Sequence, residues 1–81
     1  MILVVIDTAD PHRAAEALRA ALGLGLRGDA VEVCALEALP SDRGAERAIA
    51  TLTRLGVPIH RGASPSLLEL LVRTNKTEVW S

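Results

Sequence analysis

Met1-Ile2-Leu3-Val4-Val5-Ile6-Asp7 opens the chain with an unbroken aliphatic run, closed by an acid. The run from Ile2 to Ile6 does not alternate apolar with polar, so it reads as a strand covered on both faces, the type found in parallel sheets. Six residues before an acid are too few for a membrane helix, which needs roughly 20 apolar residues. A secretory leader would need a basic start and a cleavage site, and neither is present. The expectation is a soluble, cytoplasmic protein.

Downstream of this strand, Asp10-Pro11 supplies an N-cap and a first-turn proline, a helix start with a physical mechanism. The segment from His12 to Leu26 places Ala14, Ala17, Leu18, Ala21, Leu22 and Leu24 on one broad side and His12, Arg13, Glu16 and Arg19 on the other. Gly23 and Gly25 weaken its last turns by about 1 kcal/mol each relative to alanine, and Gly28 is a natural stop. Ala30 to Leu36 reads as a second strand. Ser41 or Asp42 caps a second helix, with Ala45, Ala48, Ile49, Leu52 and Leu55 on one face and Gly56 at its end. Val57 to His60 reads as a short third strand, its proline marking a strand start or an edge. Ser64-Pro65 opens a third helix, in which Glu69 and Arg73 have the favourable i, i+4 order for an ion pair. Thr77 to Trp80 is a fourth strand.

The order is βαβαβαβ, one domain over residues 1–81. Strict alternation with short connections predicts right-handed crossovers and an α/β fold, a three-layer α/β/α sandwich on a mostly parallel sheet of about four strands. A chain of 81 residues buries only about 60–65% of its unfolded surface. The third helix has Leu67, Leu68, Leu70, Leu71 and Val72 within six positions, more apolar surface than one face requires. A homo-oligomer is the expected remedy.

Composition narrows the function classes. Nine basic and ten acidic residues give a net charge of −1 with no like-charge run, and Trp80 is the sole aromatic. Neither a nucleic-acid footprint nor a membrane-attracted patch is expected from such a pattern. A single cysteine, Cys34, excludes an internal disulfide and fits a reducing compartment. It sits mid-strand between Val33 and Ala35, where core filler is the default reading and a reactive thiolate would need exposure and a nearby positive charge.

Ligands of open parallel sheets bind beyond the carboxyl ends of the strands. Asp7, Thr8 and Asp10 lie there after the first strand, and could hold Mg²⁺ or act as base. The plainer reading is that Asp10 caps a helix and Asp7 ends a strand. His60, Arg61 and Ser64 lie at the corresponding end of the third strand, before a helix start. They are candidates for an anion site for phosphate, sulfate or carboxylate, against the plainer reading of a polar loop. His12 and His60 have no metal-ligand spacing. The Gly23-Leu24-Gly25 region ends a helix, the reverse of the context that a dinucleotide fingerprint requires. No catalytic residue, cofactor or metal site is indicated by any motif, and enzymatic chemistry on Asp7 and Asp10 ranks last among the readings.

Three stretches together resemble the DsrE/DsrF/DsrH-like family of small sulfur-relay and related α/β proteins. They are the opening strand, the segment from Arg13 to Val33, and Leu55-Gly56-Val57-Pro58-Ile59 running into the loop from Gly62 to Ser64. The resemblance implies a cytoplasmic homo- or hetero-oligomer, whose active members carry sulfur as a persulfide on a loop cysteine after the third or fourth strand. Here the corresponding loop reads His60-Arg61-Gly62-Ala63-Ser64 and lacks that cysteine. The implied role is therefore non-catalytic, structural or regulatory, with a related subunit as a possible partner. The alternative is a small-molecule or anion-binding module at the strand ends.

Overall fold

The computed structural model describes residues 1–62 and 65–81, and for residues 65 and 66 the backbone alone. Seven elements alternate: β1 (Ile2–Ile6), α1 (Pro11–Leu26), β2 (Val31–Ala35), α2 (Arg43–Arg54), β3 (Ile59–Arg61), α3 (Pro65–Arg73) and β4 (Lys76–Trp80). All four strands are parallel, in the order β3-β2-β1-β4. The α/β sandwich expected from the alternation is the fold.

Strand order follows from the direction of each crossover. Two successive right-handed steps, β1 to β2 and β2 to β3, put α1 and α2 on one face of the sheet. The third connection runs back past β1, so the same handedness puts α3 on the other face. Side chains of β1 alternate between the two layers. Val4 and Ile6 pack with Ala14, Ala17, Leu18 and Leu52 of α1 and α2, while Leu3 and Val5 meet Cys34 and Leu70. The alanines of α1 keep that helix close to the sheet. With β2 on one side and β4 on the other, β1 is enclosed on every side.

Local chemistry sets the element ends. Asp10 caps α1 by accepting the His12 N–H on its Oδ1 at 2.9 Å, with Pro11 in the first turn. Both long helices end in left-handed glycines, Gly28 at φ 95° and Gly56 at φ 80°, conformations that cost an L side chain free energy. Asp29 and Val57 then donate back to Leu24 and Leu52, closing the last turns.

This closure explains one departure from the sequence reading. Val57 belongs to the helix-ending turn and Pro58 has no N–H, so β3 runs from Ile59 to Arg61 rather than from Val57 to His60. At α2 the N-cap is Asp42, but its side chain makes no capping hydrogen bond. The edges of the sheet are blunted in two ways: β3 is only three residues long, and β4 carries Lys76 and Glu78.

A second departure concerns α3. Arg73 does not pair with Glu69; its Nη1 lies 3.6 Å from Oε2 of Glu32 on β2. Glu32 is half-buried on the sheet face that α3 covers, so its carboxylate is less well hydrated than that of exposed Glu69 and gains more from a cation.

Leu18→Ala should cost about 2–5 kcal/mol, since a fully buried side chain would leave a cavity between helix and sheet. Asp10→Ala should cost about 1 kcal/mol, and Asp42→Ala less, because only the former removes a capping bond. Urea denaturation of the three variants checks the ranking.

Candidate functional site

In a sheet of order β3-β2-β1-β4, the chain reverses its direction of travel between β1 and β4. At the carboxyl ends of these two strands α1 leaves β1 toward one face, and the ends of parallel strands are where ligands of open α/β sheets bind. Asp7 follows β1 and its N–H donates to the Trp80 carbonyl at 2.8 Å, tying the two strand ends together. Asp7, Thr8 and Asp10 all lie at this point.

Two of these three have structural partners. The Thr8 hydroxyl oxygen accepts the Asp10 N–H at 3.0 Å, and the Asp10 carboxylate caps α1. Asp7 is exposed, and no ion pair engages it among the described residues. Nearby on α1 is Arg13, whose guanidinium lies 4.8 Å over the Trp80 ring. Arg13 Nε donates to the Ser81 carbonyl at 3.3 Å, and its Nη1 is 3.4 Å from Glu16.

The electrostatics at these strand ends follow from the residues that stand there. The N-terminus of α1 would attract an anion, but the Asp10 carboxylate already sits on it and Asp7 stands close by. Pro11 has no N–H to offer, and the turn Asp7-Thr8-Ala9-Asp10 has no glycine to let a phosphate approach the backbone. Hydroxyl groups and cations suit these residues, while phosphate does not.

His60 and Arg61 do not join this group. β2 lies between β1 and β3, so the two strand ends are about 9–10 Å apart at ordinary strand spacing. Successive side chains of β3 also diverge. Arg61 is on the α2 side, lining an open hollow of about 370 Å³ with Ile49, Thr53, Pro58 and Ile59. His60 is on the opposite face, its Nε2 2.8 Å from Glu32 Oε1. Ser64 lies outside the described residues. His12 is exposed on the first turn of α1.

The Glu32 cluster is the polar feature that sequence reasoning missed. One carboxylate joins three elements: His60 on one oxygen and Arg73 on the other link β2 to β3 and to the end of α3. A signal existed, because Glu32 interrupts an otherwise apolar strand and faces the same way as Cys34. His60 could be named as a partner only from the register that pairs Cys34 with His60, and Arg73 only from the placement of α3 over that face.

Cys34 is 1% exposed, packed with Leu3, Val5 and Leu70 beneath α3. Desolvation raises the pKa of its thiol above the usual value, so the nucleophilic thiolate is disfavoured at neutral pH. Among the described residues, no three His, Cys, Asp or Glu side chains converge as a metal site. No helix among them is long and apolar enough to cross a membrane.

Glu32→Gln should destabilise the fold by about 1–2 kcal/mol by removing the charge that faces the His60 hydrogen bond and the Arg73 ion pair. Asp7→Asn should change stability by less than about 0.5 kcal/mol, as for other exposed substitutions. Thermal denaturation of both variants, at one pH and salt, checks the contrast.

Compared with known proteins, the chain matches no family model, no curated protein and no solved structure.

Proposed function

We propose that the chain is a non-catalytic DsrE-like domain, a subunit of a cytoplasmic homo-oligomer with a structural or regulatory role beside sulfur-relay chemistry. The observation that carries this reading is the enclosure of Cys34. A persulfide carrier must present a thiolate to a donor and then to an acceptor, and this thiol is sealed under α3 with its pKa raised. The loop after β3, where the resembling family keeps its thiol, has none. What remains available to such a domain is its surface, for holding copies of itself or a related subunit in place.

A thiol reagent should modify native Cys34 at least about 100-fold more slowly than the urea-unfolded chain, because reaction requires opening of α3. Incubation with polysulfide, followed by alkylation and mass spectrometry, should find no persulfide on the folded protein. A native persulfide on Cys34 would sink the reading.

A second reading is favoured by the reversal point between β1 and β4. There the domain binds a small cationic or hydroxyl-bearing molecule through Asp7, near the Arg13–Trp80 pair. The anion-binding form of this idea has less support, because His60 and Arg61 diverge and the residues around Asp7 are acidic. Thermal shift with Mg²⁺, with ribose and with phosphate discriminates. The reading expects a shift with one of the first two, lost in Asp7→Asn, and none with phosphate; silence in all three disposes of it.

A further inference from the structure

Building on the reading of the chain as one subunit of a homo-oligomer, we infer that the outer face of α3 is the self-association surface, pairing with the same helix of a second copy, antiparallel about a two-fold axis. The two faces of the sheet are unequally covered. α1 and α2 contribute 16 and 12 residues to one face, while α3 contributes nine to the other. The helix is anchored inward through Leu70, with Leu67 beside it. At 100° per residue, Leu68 and Val72 then lie on the side away from the sheet. They are 70% and 85% exposed, Leu71 on one flank is 42% exposed, and Val79 on the same sheet face is 61% exposed. An apolar stripe of this kind gains nothing from solvent and marks an interface.

The charges beside the stripe select the occupant. Glu69 and Arg73 lie one turn apart on the flank opposite Leu71, and together with Leu68 and Val72 they line a hollow of about 460 Å³. A two-fold axis perpendicular to α3 reverses the helix direction but keeps each flank on its own side. It therefore sets Leu68 against the partner's Val72, and Glu69 against the partner's Arg73. Both contacts occur twice, which is the self-complementarity of an isologous interface. Within one chain, Arg73 turns to Glu32 and Glu69 makes no ion pair among the described residues. Its carboxylate is thus left beside the hollow, and Arg73, 59% exposed although its Nη1 lies 3.6 Å from Glu32, still borders the hollow on the second copy's side.

Sedimentation of the full chain at about 100 µM, where a complex of ~10 µM Kd is mostly assembled, should give twice the 8.6 kDa chain mass. Val72→Glu and Glu69→Arg should each weaken association at least about tenfold, with an unchanged circular dichroism spectrum. Leu26→Glu, at an exposed leucine of α1, should leave it intact. A dimer that survives Val72→Glu or Glu69→Arg, or is lost in Leu26→Glu, overturns the surface but leaves the oligomeric reading standing. A wild-type monomer overturns both. A persulfide on Cys34 defeats the non-catalytic reading without touching the dimer.

Discussion

Everything in this domain is arranged around the two-sided burial of β1. Leu3, Val4, Val5 and Ile6 are all removed from water, and their backbone groups are bonded to β2 on one side and β4 on the other. At about 25 cal/mol per Å² of apolar surface, such a strand is worth far more inside a sheet than at its edge. The central place in the strand order follows from that, and so does the need for helices on both faces. In a chain of 81 residues there is material for two helices on one face and a short one on the other.

The uneven cover explains where polar groups are found. On the α1–α2 face the core is closed with aliphatic side chains. On the α3 face, apolar packing among the described residues is a smaller group around Leu70. There the sheet carries Glu32 and His60, and Arg73 reaches down to them from the end of α3. One carboxylate with a hydrogen bond to one element and an ion pair to another acts as a tether where aliphatic contact is thin. The same thinness leaves the outer side of α3 apolar and exposed, while Cys34 beneath it is fully enclosed. The structure thus sets the thiol beneath α3 and an exposed apolar stripe on its outer side.

Much of the fold was legible in the residues because its signals are local. The run from Ile2 to Ile6, the Asp10-Pro11 start and the glycines at 28 and 56 each act within a few positions, and each stands where expected. Boundaries shifted by a residue or two: β2 is Val31–Ala35 rather than Ala30 to Leu36, β4 starts at Lys76 rather than Thr77, and Val57 was drawn into the end of α2. The site was less legible because it depends on strand order. Asp7 and His60 both follow aliphatic runs, and the sequence does not say that β2 will separate them or that β4 will return beside β1. Glu69 and Arg73 have ideal spacing for one another. Their pairing was lost to Glu32, 41 positions from Arg73 in the chain, an interaction that spacing along one helix cannot reveal.

Amide hydrogen exchange, resolved residue by residue, tests the arrangement most directly. Val4 and Val5 should exchange only through global unfolding, while amides of α3 exchange faster in dilute protein and slow as concentration rises. Exchange of α3 as slow as that of β1 at the lowest concentration, or of Val4 and Val5 as fast as that of β3, would contradict a domain built on one enclosed strand with one face thinly covered.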